Sequence, residues 1–245
     1  MSTEKRPKRP QFVSPKGRFR YPKLNDPDYG NDKHRKPNGE YNVQLILKAG
    51  SPEAQKLIKD LTPLHQEALA TASEQFKELS LKARKAFEKD GKTGPSLNAL
   101  FETLYDKETE EETGEIGFKF ATKASGVYQS GPKKGKPWKR KPEIFDAKGK
   151  RMFPAPAIWG GTEGKVSFEA GGYFVEGTAA AGLKLYLKGV QVLKLVSEGG
   201  ASAESMGFGE EDGYEYSAPD DAPEGDFADA TGEASSDGGD DMGDF

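Results

Sequence analysis

Cysteine is absent from this 245-residue chain, and histidine occurs only twice. The lack of cysteine excludes disulfides, cysteine-ligated zinc sites and thiol nucleophiles. No stretch approaches the roughly 18 apolar residues of a membrane-spanning helix, and the charged amino-terminal segment lacks the apolar centre of a signal peptide. We therefore expect a soluble, intracellular and unprocessed protein.

Signals of catalysis are also scarce. His34 falls in a predicted loop and His65 in a predicted helix, where surface or packing roles are expected. The segment 160–165 superficially resembles a phosphate-binding loop. However, Trp159 stands where that motif needs its first glycine, and Val166 stands where it needs Ser or Thr. The sequence thus predicts a non-catalytic protein that holds neither a cofactor nor a metal ion.

Positive charge is missing from the last 49 residues, Ser197–Phe245, which carry sixteen acidic residues. All 36 basic residues lie in the first 196 positions beside 24 acidic ones, so this body has a net charge of +12 and the tail has −16. A basic body favours a polyanionic partner. The tail is too polar to bury a core. We therefore expect a disordered acidic segment, 197–245, that imitates the polyanion and competes with it.

The body, residues 1–196, is predicted to be one mainly β domain with a helical insertion near 52–105. Ser51 and Pro52 are typical of a helix start, and apolar residues then follow the helical period as far as Phe87. Residues 95–105 suggest a second short helix. Residues 22–39, dense in Pro, Gly, Asn and Asp, are predicted to be a loop.

Alternating apolar and polar residues predict strands over 41–47, 116–122, 165–170, 173–176 and 183–196, with a short one over 143–146. A phase shift of the apolar residues at Gly189 indicates a β-bulge. Several short strands and one helical insertion favour a small curved sheet or barrel capped by a helix.

One loop combines basic residues with an aromatic ring. Aromatic side chains stack on unpaired bases, each stack contributing about 1–3 kcal/mol, while Lys and Arg side chains follow the phosphates. A solvated loop is the alternative interpretation. The predicted DNA-binding residues of this loop are Trp138 and, around it, Lys133, Lys134, Lys136, Lys139, Arg140 and Lys141.

Further stacking candidates lie on or near strands. Tyr186 is the strongest, because it shares a strand face with Lys184 and Lys188, opposite a row of leucines. The remaining candidates for DNA binding are Trp159, Tyr173 and Phe174. Core packing is the alternative for every aromatic residue, and for Trp159 we favour it.

The acidic tail ends in an aromatic residue. Phe245 can fill a pocket on a partner while its carboxylate and the nearby Asp240, Asp241 and Asp244 meet basic residues. Tethering also gives the tail an effective concentration of order millimolar near its own body. These four residues are predicted to bind partner proteins, and a solubilising appendage is the alternative.

Four segments, taken in order, resemble the single-stranded-DNA-binding replication protein of short-tailed, podovirus-type phages. Together they span most of the chain, and their order and spacing are more specific than any one of them. The segments are 27–31 with 38–43, the helix from Pro52, residues 146–152 with Pro156, Ile158, Gly160, Gly161 and the strands to Val196, and the tail ending in Asp244 and Phe245.

The resemblance implies an OB-fold, a five-stranded Greek-key barrel, that coats single-stranded DNA in phage replication, recombination and repair. It implies that the tail occupies the DNA groove when DNA is absent and contacts the phage DNA polymerase and primase-helicase. It places the protein in the cytoplasm of the infected bacterial host and adds a homodimer through the tail as a further expectation. The family's aromatic residue between the last two long strands falls at Tyr173 or Phe174, and the resemblance does not decide between them.

Two other functions remain open at this point. An acidic-tailed interaction protein, or chaperone-like protein, would use the tail as its active surface, although a body of net charge +12 argues against that function. An RNA-binding OB-fold protein is the other alternative, because selection for the 2′-hydroxyl needs specific contacts that a sequence does not reveal.

Overall fold

The structure, a computed structural model, describes residues 9–196. The acidic tail, with its candidate residues Asp240, Asp241, Asp244 and Phe245, lies outside the described residues. Within them the elements, in chain order, are β1 (Gln11–Val13), β2 (Gly17–Gly30), β3 (Arg35–Lys48), α1 (Pro52–Glu78), α2 (Leu81–Lys89), β4 (Ser96–Leu97), β5 (Glu102–Tyr105), β6 (Glu112–Lys123), β7 (Ser125–Val127), β8 (Pro137–Lys139), β9 (Glu143–Phe145), β10 (Glu163–Val175) and β11 (Ala180–Lys194).

Five long strands close into a barrel. Four neighbouring pairs are antiparallel, namely β2–β3, β3–β6, β10–β11 and β10–β2, while β6 and β11 run parallel. The closed order β2-β3-β6-β11-β10 is that of an OB-fold. The predicted fold class is therefore confirmed.

Alternation along these strands places one apolar face inside the barrel. Phe19, Phe118, Phe120 and Phe168 are each at most 1% exposed. The rings of Phe120 on β6 and Phe168 on β10 lie 4.8 Å apart, centroid to centroid, across the interior. Burying one such side chain stabilises the fold by about 1.5–3 kcal/mol, so these rings tie the strands of the barrel together.

Helix α1 begins as the sequence predicts. The Ser51 hydroxyl accepts a hydrogen bond from the backbone N–H of Ala54, and Pro52 occupies the first helical position. The helix contains Pro63 and continues to Glu78, and α2 follows it directly. Its buried face lies against β10, where a Cβ on Gly172 would come within 2.9 Å of the Ala68 Cβ.

The predicted short helix over 95–105 is wrong. Residues 96–97 and 102–105 instead form β4 and β5, so the helical part of the insertion ends with α2 at Lys89. The leucine and phenylalanine spacing fits a helix. However, β4 pairs with the start of β11 and β5 with the start of β6, and these tertiary partners override the local pattern. The partly buried Leu100 and Phe101 pack against the core from this bridge.

The predicted loop over 22–39 is also wrong for most of its length. Strands β2 and β3 extend through it and leave only 31–34 as a connection. Their register shifts three times along this arm, which lets prolines and glycines lie within paired strands. Lys36 holds the two strands together through Asp28 on β2 and Glu40 on β3.

The remaining strand predictions agree closely with the structure. The segments 165–170 and 173–176 form one continuous strand, β10. The predicted bulge is present, because Ser167 pairs with Gly189 and Phe168 with Leu187, which leaves Lys188 without a Cα partner on β10.

Candidate nucleic-acid interface

The outer face of β11 carries the predicted triplet. Leu185 and Leu187 point into the barrel and are 3% and 1% exposed. The intervening Lys184, Tyr186 and Lys188 therefore face outward, since successive side chains on a strand alternate between its two faces. The structure thus brings one aromatic ring and two cations together on the barrel surface.

A groove lies beside this face, where β6 and β11 diverge. The two parallel strands pair only around Leu185 and Tyr186, and β4 and β5 bridge the gap between their amino-terminal parts. The groove is open and has a volume of about 710 Å³. The residues that line it include Glu40, Gln44, Glu102, Lys119, Tyr173 and Lys184.

Tyr173 forms an aromatic wall of this groove. Its direct partner on β11 is Gly182, and a Cβ there would come within 2.8–3.0 Å of the tyrosine ring and hydroxyl. The ring thus lies over the glycine, and its hydroxyl accepts a hydrogen bond of 2.7 Å from the Asn98 side-chain amide. Phe174, the next residue, faces the opposite side of β10. Of these two sequence candidates, only Tyr173 lines the groove.

Tyr186 is covered by an arginine that the sequence interpretation did not select. The Arg9 guanidinium carbon lies 4.0 Å from the centroid of the Tyr186 ring, a cation–π contact. Strand β1, which pairs with β10, brings Arg9 to this position, and the glycine at 171 leaves room for both side chains. Beside them, Lys188 forms an ion pair of 3.1 Å with Glu169.

The basic loop folds as a two-stranded ribbon, β7–β8. The Trp138 ring lies over Gly126 of the paired strand, where a Cβ would come within 2.6 Å of it. The Arg140 guanidinium lies 4.8 Å from the centroid of the tryptophan ring. The other predicted cations of the ribbon and its flanks are exposed, namely Lys133, Lys134, Lys136, Lys139 and Lys141.

The ribbon connects the end of β6 to the part of β11 that follows Tyr186. Its first strand starts two residues after Lys123, the last residue of β6. The chain then returns to β11 at Glu143, whose Cα partner is Gly189, next to Lys188. The structure thus brings the basic ribbon next to the lysines of β6 and β11.

Trp159 lies elsewhere. Its backbone N–H donates to the carbonyl of Val196, ten residues beyond Tyr186, a separation of about 30 Å along an extended strand. The side chain is 49% exposed. The core position favoured for it from the sequence is therefore wrong, and the structure does not place it with the groove.

Several residues of the face were missed by sequence reasoning. Lys119 and Lys123 alternate with buried residues along β6. The same alternation that predicts an outward Tyr186 could therefore have predicted that these two lysines face outward. Arg9 and Glu102 had no such signal, because their positions depend on which strands β1 and β5 pair with.

Two acidic residues line the groove, and they differ in their partners. Glu40 accepts a hydrogen bond of 2.9 Å from Lys36, which also bonds Asp28. The Lys36 hydrogen bond lowers the pKa of the Asp28 carboxyl. Burial alone would lower the pKa of Lys36, but the hydrogen bonds to Asp28 and Glu40 outweigh it and raise that pKa. Glu102 instead accepts a hydrogen bond of 2.6 Å from the neutral amide of Gln44.

In residues 9–196, no group of three or more His, Asp or Glu side chains is arranged to hold a metal ion. None of the helices described in that range is long and apolar enough to cross a membrane.

Comparison with known proteins points to one family. Residues 17–195 match the family described as the single-stranded DNA-binding protein of bacteriophage T7. The single-stranded DNA-binding protein of Escherichia phage T7 is 30% identical over 197 residues, which is 79% of each chain. The protein of the same name from Enterobacteria phage T3 is 30% identical over 196 residues, again 79% of each chain. The names describe binding proteins rather than enzymes, in agreement with the expectation of a non-catalytic chain.

A solved structure agrees with this match. The crystal structure of gp2.5, a single-stranded DNA-binding protein encoded by bacteriophage T7, superimposes with a TM-score of 0.59 at 26% sequence identity. The alignment covers 77% of this chain and 93% of that one.

Proposed function

Because the chain belongs to the family of bacteriophage T7 single-stranded DNA-binding proteins, we propose that it binds single-stranded DNA without catalysis and with little dependence on sequence, in phage DNA replication and recombination. The observation that carries this proposal is the groove between β6 and β11. There Tyr173 on β10, Lys184 on β11 and Lys119 on β6 line one groove, on the outer face that continues to Tyr186 and the basic ribbon.

The chemistry of the face suits unpaired nucleotides. Tyr173 and Trp138 each lie over a glycine of a paired strand. The Tyr173 ring is proposed to offer its other side to a base, and the Trp138 ring to stack together with the neighbouring Arg140. A stacked base contributes about 1–3 kcal/mol whatever its identity, because every base has a π-face. In duplex DNA those faces are occupied by neighbouring bases, so the same rings favour single strands.

The acidic tail is proposed to regulate this binding. It carries sixteen acidic residues and no basic ones, whereas the body has a net charge of +12. A tethered polyanion of this kind competes with DNA for the cationic face at an effective concentration of order millimolar. When DNA displaces it, Asp240, Asp241, Asp244 and Phe245 become available to recruit the phage DNA polymerase and primase-helicase. A homodimer through the tail and a location in the cytoplasm of the infected bacterium belong to the same proposal.

A titration by fluorescence anisotropy tests the binding proposal. Labelled oligodeoxythymidine, the matching duplex and an oligouridine of equal length are titrated with the full chain and with a variant that ends at residue 196. We expect the single strand to bind more tightly than the duplex, and the truncated variant to bind DNA more tightly than the full chain. Tighter binding of oligouridine would favour the RNA-binding alternative. Absence of binding by both proteins at low salt would refute the proposal and favour an interaction or chaperone-like protein.

Aromatic variants locate the site in the same assay. Replacing Tyr173 or Tyr186 with Leu is expected to weaken binding by about fivefold or more, the equivalent of at least 1 kcal/mol of stacking. Phe153→Leu is the matched control, since Phe153 is 87% exposed, lies between β9 and β10 and does not line the groove. Equal effects of all three substitutions would contradict the assignment of the groove.

A further inference from the structure

Glu102 is an acidic residue in a groove that we assign to a polyanion. Its partner among the described residues is the Gln44 amide, and it forms no ion pair with a described Lys or Arg. A carboxylate so placed repels phosphate and lowers affinity. The groove therefore loses affinity from this residue, unless the carboxylate contacts another part of the nucleotide.

The surroundings of Glu102 orient it for such a contact. The Gln44 side-chain N–H donates to one carboxylate oxygen across 2.6 Å, which leaves the other oxygen and the Gln44 carbonyl as acceptors. Gly117 makes this arrangement possible, because a Cβ there would come within 2.5 Å of the Gln44 amide nitrogen. The result is a pair of hydrogen-bond acceptors in the same groove as the Tyr173 ring.

Two adjacent acceptors distinguish the two pyrimidines. Cytosine presents an exocyclic N4 amino group, a donor that Glu and Asp side chains accept, whereas thymine presents the O4 acceptor in the same place. A cytosine stacked on Tyr173 would direct its amino group to the acceptor pair, while a thymine would direct an oxygen at a carboxylate. The lysines at 119 and 184 are positioned to hold the phosphates of either nucleotide.

We infer that the Gln44–Glu102 pair forms a base-reading position, at which the groove prefers a base with an exocyclic amino group, cytosine over thymine, and that Glu102 determines this specificity. The inference rests on the proposed single-strand binding. It adds one position of preference to a surface that otherwise tolerates any sequence.

The test compares oligodeoxycytidine with oligodeoxythymidine of equal length, at mildly alkaline pH, where cytosine N3 stays unprotonated. The full-length protein, Glu102→Gln and the control Glu108→Gln are titrated with both. Glu108 is exposed in the turn between β5 and β6 and does not line the groove, so its substitution makes the same charge change elsewhere. We expect the unmodified chain to bind the cytidine oligomer at least about fivefold more tightly. Glu102→Gln should reduce that ratio severalfold, and Glu108→Gln should leave it unchanged.

The outcomes separate the two proposals. If Glu102→Gln tightens binding of both oligomers by the same factor, the carboxylate is only repulsive and the base preference is refuted, while single-strand binding stands. A ratio near one for the unmodified chain refutes the preference as well. An oligomer of N4,N4-dimethylcytidine, which has no N4 hydrogen to donate, should lose the advantage of cytidine, and retention of that advantage would also overturn the inference. If the unmodified chain binds no oligomer, the binding proposal itself fails.

Discussion

The salt dependence of binding follows directly from the cations on the outer face. The double variant Lys119→Gln with Lys184→Gln removes the two lysines that line the groove. They lie at neighbouring positions of the parallel strands, one residue before the Phe120–Leu185 pair. Their Cα atoms are therefore about 5 Å apart, the spacing of adjacent strands. Two phosphates of one strand can be neutralised there at the same time.

The magnitude comes from a count of cations. Binding to a single strand releases counterions, and log affinity changes with log salt by about −0.7 for each neutralised phosphate. Full use of the five cations gives a slope of about −3.5, and the double variant should show about −2. Between 50 and 200 mM salt, the unmodified chain should lose about 100-fold in affinity and the variant about 20-fold. The cations in this count are those next to the groove, namely Arg9 over Tyr186, Lys119 and Lys123 on β6, and Lys184 and Lys188 on β11.

The assay is the titration of labelled oligodeoxythymidine at four salt concentrations, with circular dichroism to confirm the fold of each variant. Lys59→Gln with Lys82→Gln is the matched control, because both lysines are exposed on the helices α1 and α2. An unchanged slope in the groove variant, or an equal change in the control, would refute the placement of phosphates in the groove.

Three further predictions concern other parts of the chain. Gly182→Ala should displace the Tyr173 ring and weaken single-strand binding severalfold in the anisotropy assay, whereas Gly177→Ala, whose Cβ would meet no atom within 4 Å, should not. Removal of residues 197–245 should tighten DNA binding at low salt and reduce stimulation of the phage polymerase; unchanged affinity would exclude competition by the tail. Because the Lys36 hydrogen bond lowers the pKa of Asp28, this carboxylate stabilises the fold above its unfolded pKa of about 4, and the stabilisation is lost as the pH falls through the lower folded value. Asp28→Asn should therefore flatten the acid side of stability measured by urea unfolding, and an unaltered pH profile would contradict the ion pair.

The strand content of the barrel could be predicted because each strand has one buried face. Alternation around Tyr186 and the phase shift at Gly189 are direct consequences of that burial, and both are confirmed. The start of α1 could also be predicted, since the Ser51 cap and Pro52 favour a helix through contacts within its first turn. These features depend on neighbours close in the chain.

The features that were predicted wrongly or missed depend instead on residues far away in the chain. Residues 95–105 form strands only because β11 and β6 diverge and leave edges for β4 and β5 to pair with. The position of Arg9 over Tyr186 depends on β1 joining β10, far away in sequence. The groove could not be predicted from the sequence for the same reason: it exists where distant strands separate.

Three glycines of the face, Gly126, Gly171 and Gly182, have a consequence for mutational mapping. None of them has a positive φ, so the backbone itself would accept a side chain at each. What opposes a side chain is the Trp138 ring at Gly126 and the Tyr173 ring at Gly182, whereas at Gly171 the nearest atoms belong to the flexible Arg9 side chain, which can move aside. A saturation screen for DNA binding should thus score Gly126 and Gly182 as less tolerant than Gly171, and second-site suppressors should arise at Trp138 and Tyr173.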